Sequence, residues 1–469
     1  MGGIIVPCSP LFKQWELTYA LRESEAKAIV SLDLLHAVTA PSCKECGIQT
    51  IIVTSMHDFL PAEPTMNPAP MMQIPKMTHP DTIEFMDVFS RYPAEPVKAQ
   101  IDLDDVVQLQ FTGGTTGVPK GAILTHGAKL FKASTLVDIL RANMAFLGNK
   151  SDTNICLAIL PTFHIAGMLG SVDAMIAMGA TQVLMVMFDP VAAMQAIDRY
   201  KIQFFQAAVP MNIAIMNHPE RGKYNLSSLL LCLTTSFGIQ LNEEIVNQWR
   251  QDTGGCMLAE AAYGLTETHT FDSFMPLNKP RYEAGCQGIP IPGQQIKIVS
   301  WEDKTREVPI GEIGEIVLKN PAVFKGYWNK PEATAKSLRD GWLYTGDMVS
   351  FDEDGYYYIR DRKNDMINRA AFNIYPKELE DVLYTHPAVA EAQVVGIPDL
   401  VKGEEVVACL ALKPGNKTTE SDIIQFCRRN MAAYKVPKHV RFFDALPKTV
   451  TGKLEKMTLR KILLEDGGR

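Results

Sequence analysis

The stretch Phe111-Thr112-Gly113-Gly114-Thr115-Thr116-Gly117-Val118-Pro119-Lys120-Gly121 decides how the rest of this chain is read. Four glycines, three threonines and one lysine fall within eleven residues, directly after the apolar run Val106-Val107-Gln108-Leu109-Gln110-Phe111. This composition predicts a strand running into a flexible, hydroxyl-rich loop. Without a Cβ, glycine lets backbone N–H groups approach an anion closely and opens positive φ. Threonine hydroxyls add donors, and Lys120 adds a point charge suited to phosphate. A Gly/Thr surface turn is the plainer reading, but a lysine set between Pro119 and Gly121 favours a phosphate cradle. The loop is not of the G-x-x-x-x-G-K-[ST] type, because Lys120 is followed by Gly121.

Working outward, 469 residues exceed one small domain and can bury substantial cores. Hydrophobic residues at 46% and charged residues at 21% are ordinary for a globular protein. A net charge of −7 gives no electrostatic case for nucleic acid and disfavours purely electrostatic attachment to a membrane. The nine cysteines are scattered except for Cys43-Lys44-Glu45-Cys46, and one isolated CxxC lacks the second ligand pair of a zinc site. Incidental thiols in a reducing compartment, the cytoplasm, are the expectation. No basic segment precedes an apolar core at the N-terminus, so no signal peptide is expected. Val172 to Phe188, the longest apolar stretch, is broken by Asp173 and Gln182, which predicts a buried helix and strand rather than an integral membrane segment.

Local patterns predict a layered α/β chain. Met1 to Pro7 reads as a strand, Leu17 to Ser24 as a helix and Ala26 to Ser31 as the next strand, a rhythm that suits a parallel sheet. The prolines and methionines of residues 61–80 read as an extended surface loop. Pro190 to Tyr200 has helical apolar spacing through Val191, Met194 and Ile197. His164, in Leu160-Pro161-Thr162-Phe163-His164-Ile165-Ala166-Gly167, is by residue type alone more readily a core histidine than a catalytic one. In Tyr263-Gly264-Leu265-Thr266-Glu267-Thr268 a hydroxyl and a carboxylate stand side by side after a glycine, which suits a hydrated Mg²⁺ held between protein and phosphates.

The sequence Thr112 to Gly121 resembles the phosphate-loop signature of the adenylate-forming superfamily: acyl-CoA synthetases, peptide-synthetase adenylation domains and luciferases. Further motifs agree in family order: Leu160 to Gly167, Tyr263 to Glu267, Lys325-Gly326-Tyr327-Trp328-Asn329, Gly341 to Asp347, and Pro447-Lys448-Thr449-Val450-Thr451-Gly452-Lys453. The resemblance implies a large AMP-binding domain of layered α/β subdomains over residues 1–360, incomplete at its start. A mobile α+β lid would follow over residues 361–469. It implies ATP and AMP contacts from Thr112, Gly113, Gly114, Thr115, Thr116, Gly117, Lys120, Tyr263, Gly264, Asp347 and Arg362. Asp347 would accept hydrogen bonds from the ribose, Thr266 would donate to phosphate, and Glu267 would hold Mg²⁺. His164 would orient the acid. The 311–315 and 325–334 segments, Tyr327 included, are assigned to structure, their glycines setting turns.

The same resemblance places a hinge at Asn364 and a catalytic lysine at Lys453, bridging carboxylate and α-phosphate. Phe237, in a turn that flanks the adenine in the family, either stacks on the base or obstructs it. Ala370, Ala371 and Phe372 would line a CoA channel where the family carries two glycines. The implied activity is ATP-dependent conversion of a carboxylic acid to acyl-AMP and then to acyl-CoA. The segment resembling the acyl tunnel, within residues 203–219, and residues 288–293 point to a medium- or long-chain fatty acid, with aryl acids second. Two alternatives stay open: transfer to a carrier protein or other non-CoA acceptor, and a catalytically impaired nucleotide-binding relative. The implied partners are small molecules, with peripheral membrane contact possible and oligomeric state open.

Overall fold

A computed structural model describes residues 2–64, 66, 69–95, 97–112, 119–149, 154–236, 241–362, 365, 367–369, 372–374, 376–399, 403–431, 435–448 and 454–465. The chain opens with a three-stranded parallel sheet, β1 (Ala28–Leu32), β2 (Thr50–Thr54) and β3 (Ile83–Glu84). Helices Gln14–Glu23 and His36–Cys46 bury Leu17, Leu21 and Cys43 against Ile48. Among the described residues 2–7 no full strand forms. Ile5 makes a single parallel bridge to Gln108. Residues 61–80 contain a short 3₁₀ turn, Pro70–Gln73, within the expected loop.

The glycine-rich loop joins β4 (Val106–Phe111) to β5 (Gly121–Thr125), an antiparallel pair that sets Phe111 opposite Gly121. At the end of β5, the Thr125 hydroxyl accepts the Ala128 N–H and starts the helix His126–Phe146, because a threonine oxygen satisfies an otherwise orphan first-turn donor.

That helix packs on a five-stranded all-parallel sheet of order β10-β9-β8-β6-β7. Its strands are β6 (Ile155–Ala158), β7 (Thr181–Leu184), β8 (Phe204–Ala208), β9 (Leu231–Thr235) and β10 (Met257–Glu260). Successive strand residues face opposite sides, and here both sides are covered. Phe204, Leu231 and Leu233 enter one core with the 126–146 helix. Phe205 and Cys232 enter a second core with helices Pro190–Tyr200 and Glu243–Thr253. Strands buried on both faces need unbroken apolar runs, which is why Leu231-Cys232-Leu233 does not alternate with polar residues. The 172–188 stretch forms the expected helix and strand, but it is only partly buried: Ile176 on the helix and Leu184 on the edge strand β7 are exposed. A π-helical turn Leu169–Asp173 leads into Ala174–Met178, which Gly179 ends at φ 69° before β7. No helix among the described residues is long and apolar enough to cross a membrane.

A short pair, β11 (Ser273–Phe274) and β12 (Ile289–Pro290), leads to an antiparallel sheet. It comprises β13 (Gln295–Val299), β14 (Gly314–Lys319), β15 (Leu338–Arg339), β16 (Trp342–Phe351) and β17 (Tyr357–Arg362). The last sheet has order β19-β18-β21-β20, with β22 parallel to β21. Its strands are β18 (Ile367–Arg369), β19 (Phe372–Ile374), β20 (Val389–Asp399), β21 (Gly403–Leu412) and β22 (His439–Phe443). Val394 and Val406 face one core of this sheet, Val395 and Val407 the other.

Candidate active site

The 111–121 loop is closed at its base by its own ends. Thr112 N–H donates to the Lys120 carbonyl at 2.9 Å, and Lys120 N–H donates to Thr112 Oγ1 at 3.3 Å. Tyr19 anchors the loop from the first layer by donating to the Pro119 carbonyl at 2.9 Å. Gly113, Gly114, Thr115, Thr116 and Gly117 lie outside the described residues. The Lys120 ammonium sits 4.7 Å from the ring centroid of Tyr327 and makes no ion pair among the described residues.

Tyr327 reaches this position by backbone pairing. Residues 325–328 run beside β5, with Lys325 N–H on the Ile123 carbonyl at 3.1 Å and Trp328 N–H on the Gly121 carbonyl at 2.8 Å. Gly326 has φ 131°, a conformation open to glycine, and a Cβ there would fall 2.6 Å from Thr334 Cγ2. The phenol donates to Glu267 Oε1 at 2.5 Å. Burial, and then the Glu267 carboxylate, hold the Tyr327 phenol well above its ordinary pKa, so it remains protonated and a donor.

Glu267 lies in the 3₁₀ turn Thr266–Thr268. Phe324 N–H donates to its carbonyl at 2.8 Å. The carboxylate keeps Oε2 without a protein partner among the described residues. A single carboxylate with one open oxygen fits Mg²⁺, which dehydrates reluctantly and is usually held by one or two carboxylates, water and substrate phosphates. Among the described residues no cluster of three or more His, Cys, Asp or Glu offers a protein-built cage.

The backbone behind Glu267 is unusual. His269, Thr270 and Phe271 have φ of 58°, 56° and 56°, three successive non-glycine residues in the left-handed region. Each costs roughly 1–2 kcal/mol in that conformation. Gly264 makes room for this turn, since a Cβ at 264 would stand 2.3 Å from Phe271 N. A buried charge pair holds the turn from behind. Lys132, on the 126–146 helix, donates to the Phe271 carbonyl at 2.8 Å and to Asp272 Oδ1 at 2.7 Å, with both side chains fully buried. Thr268 Oγ1 and Asn320 Nδ2 also donate to Asp272. Burial pushes the Lys132 pKa down and the Asp272 pKa up, and their mutual attraction opposes both shifts.

Asp347 follows Gly346, which turns at φ 77° and donates its N–H to Glu315 Oε1 at 2.8 Å. Asp347 is 3% exposed, and its Oδ2 accepts the Tyr263 hydroxyl at 2.6 Å. Burial, then the Asp347 charge, raise the Tyr263 phenol well above its usual value. The β16–β17 register sets Arg362 directly opposite Asp347. Tyr263, Gly264, Thr266 and Glu267 thus form one loop, with Lys120 joined to its end through Tyr327 and Asp347 to its start through Tyr263.

His164 caps the helix Ile165–Met168, its Nδ1 accepting the Ala166 N–H at 3.3 Å. The motif is tied to β4 by Gln110, which donates to the Phe163 carbonyl at 3.0 Å. Gly167 is required by packing, because a Cβ there would stand 2.2 Å from the Pro161 carbonyl oxygen. After β9, Ser236 donates its N–H and hydroxyl to Glu260 at 3.0 and 2.5 Å. Burial raises the Glu260 pKa to about 7, against these bonds and the Lys377 charge. Phe237 lies outside the described residues, as do Asn364, Ala370, Ala371 and Lys453, and Phe372 is located by its backbone in β19. Reading the sequence missed Lys132, Asp272 and Glu260 and gave Tyr327 no chemistry.

The sequence profile of the AMP-binding enzymes matches residues 1–328, and that of the AMP-binding enzyme C-terminal domain matches residues 378–453. The chain belongs to the AMP-binding enzyme family. This places it in the adenylate-forming superfamily, with the α/β fold expected from its motifs. Among relatives of this AMP-binding enzyme, a long-chain-fatty-acid–CoA ligase of Bacillus subtilis (strain 168) is 37% identical over 478 residues, spanning 99% of this chain and 81% of the relative. One from Escherichia coli O6:H1 is 34% identical over 466 residues, spanning 98% and 81%. ATP-bound MatB from Rhodopseudomonas palustris superposes with a TM-score of 0.83 at 25% identity, over 98% of this chain and 84% of that one. An anthranilate CoA ligase in complex with anthranoyl-AMP gives 0.82 at 26% identity, over 100% and 84%.

Proposed function

We propose that this AMP-binding enzyme activates a long-chain fatty acid with ATP and transfers the acyl group to CoA, releasing AMP and pyrophosphate. The observation that carries the reading is a lysine at the base of a glycine-threonine loop that makes no ion pair among the described residues, beside a carboxylate with one oxygen open among them, with Asp347 on the same polar loop system. Such a set binds a polyphosphate and its metal at one end and a diol at the other. The acid class is supported by the relatives named as long-chain-fatty-acid–CoA ligases. β8 and the helix Val209–Met216, which fall in the segment resembling the acyl tunnel, are predominantly apolar, as an acyl site in this segment requires.

In this account Lys120 and the hydroxyls of the 112–117 loop bind the outer phosphates, and Asp347 with Arg362 holds the ribose. Glu267 would hold Mg²⁺, which when bound offsets phosphate charge. His164 fixes the mouth of the acid site by capping the 165–168 helix. Lys453 supplies a second cation between the acid and the α-phosphate. A carboxylate oxygen then attacks the α-phosphorus, the bond to pyrophosphate breaks, and acyl-AMP forms. Bringing two anions together is the main barrier, and fixed cations in a preorganised site lower it. Residues 361–469 act as a lid pivoting at Asn364, which carries Lys453 away and admits the CoA thiol past Ala370, Ala371 and Phe372. The thiolate attacks the acyl carbon and AMP leaves.

The test is product identification by mass spectrometry after incubation with Mg-ATP and a panel of acids, with and without CoA. Acyl-CoA from long-chain acids is expected. Acyl-AMP without acyl-CoA would redirect the reading to a non-CoA acceptor. No product from a folded chain would refute it.

A further inference from the structure

Tyr327 stands between two opposite charges that do not pair with each other. Its ring lies under the Lys120 ammonium at 4.7 Å, and its hydroxyl holds Glu267 Oε1 at 2.5 Å. Lys120 and Glu267 would otherwise be natural ion-pair partners, one at the end of the phosphate loop and the other on the adjoining turn. Paired, each would neutralise the other, and neither would be available to phosphate or to a cation. A tyrosine is suited to separate them. Its π face attracts an ammonium, its edge carries a donor for a carboxylate, and its rigid body keeps the two apart.

The ring is itself locked. Tyr327 is 8% exposed, packs edge-on against Phe324 at 4.8 Å, and donates its backbone N–H to Thr334 Oγ1 at 2.9 Å. An isolated bridge to Ala122 on β5 fixes its backbone.

We propose that Tyr327 is a positioning residue that insulates Lys120 from Glu267, keeping the lysine free for the outer phosphates of ATP and one Glu267 oxygen open. The roles given to Lys120 and Glu267 rest on the function proposed above, whereas the insulation itself is a property of the ligand-free protein. Removing the ring should let the two charges collapse into an ion pair. Removing only the hydroxyl should leave them separated while loosening Glu267.

Two measurements on the full chain separate these ideas. The first is the ligand-free crystal structure of Tyr327→Leu. Lys120 Nζ should come within ion-pair distance, about 4 Å, of the Glu267 carboxylate. If they stay apart with the fold intact, the insulation is wrong whether or not the protein binds ATP. The second is calorimetric titration with ATP, with and without Mg²⁺. Tyr327→Leu should weaken metal-free ATP binding about tenfold or more, and Tyr327→Phe by much less. Adding Glu267→Gln to Tyr327→Leu should restore metal-free binding, because it releases Lys120. A merely structural role for the ring would leave the double variant as weak as the single one, and that result would overturn the proposal. If the unaltered chain binds no ATP, the proposed function fails, and the crystal structure still decides the insulation.

Discussion

Replacing Lys132 by methionine should destabilise the large domain well beyond an ordinary core substitution. Methionine roughly matches the lysine stem, so the packing loss is small. The electrostatic loss is not. Asp272, fully buried, would keep the Thr268 and Asn320 donors but lose the one cation paired with it among the described residues. Removing one partner of a buried pair costs about 3–5 kcal/mol, because an uncompensated charge stays in a low-dielectric site. Lys132 also binds the Phe271 carbonyl at 2.8 Å, so the left-handed turn at 269–271 loses its anchor. That turn stores about 3–6 kcal/mol over its three residues, and the loop bearing Glu267 rests on it. The expected result is a fall in melting temperature of about 4 °C or more, at roughly 1.3 °C per kcal/mol for a domain of about 360 residues, together with weaker ATP binding. Lys132→Met combined with Asp272→Leu should recover most of the stability, since no charge is left unpaired. Differential scanning calorimetry of the three proteins, with ATP titrations, makes the check. A single variant that melts within a degree of the parent, or a double variant as unstable as the single, would refute the reasoning.

Glu260 gives a pH signature. Its carboxyl titrates near 7 in the folded chain against an ordinary 4.5, so between those values the folded state holds the extra proton. Stability should therefore fall as pH rises from about 4.5 to 7 and level off above, by about 3 kcal/mol in all. Glu260→Gln should lack this component, and parallel melting profiles for the two proteins would contradict it. Gly264→Ala would drive its methyl into the backbone at Phe271, an overpacking cost of about 1–3 kcal/mol. ATP affinity should drop in calorimetry, and an unchanged value would mean the turn does not support the site. Asp347→Asn preserves shape and the Tyr263 contact but removes charge-assisted bonds worth about 1.5–3 kcal/mol. It should weaken ATP about tenfold or more while leaving the affinity for inorganic pyrophosphate, which has no ribose, unchanged.

What the sequence disclosed tracks how local each feature is. Tyr263 to Glu267, Gly341 to Asp347 and the 111–121 loop each fall within a few consecutive residues, so residue types and order were enough to single them out as candidates. The 190–200 helix was legible because Val191, Met194 and Ile197 mark one face. Tyr327 was assigned to structure because its partner, Glu267, lies 60 residues away and only the strand-like run beside β5 joins them. Lys132 and Asp272 are 140 residues apart, and a lysine on an otherwise apolar helix face gives no sign of a buried partner. Nothing local marks the left-handed turn at 269–271 either, since none of its residues is a glycine. Its signal lay in Gly264, whose missing side chain makes the room.

The most direct test of the account follows the oxygen atoms. A long-chain fatty acid labelled with ¹⁸O in its carboxyl group is turned over with Mg-ATP and CoA, and the AMP is examined by mass spectrometry. Attack of the carboxylate on the α-phosphate requires that one heavy oxygen end on AMP when CoA takes the acyl group. Labelled AMP with a matching amount of acyl-CoA is the predicted result. Unlabelled AMP, or ADP in its place, would contradict the claim that this chain forms an acyl-adenylate.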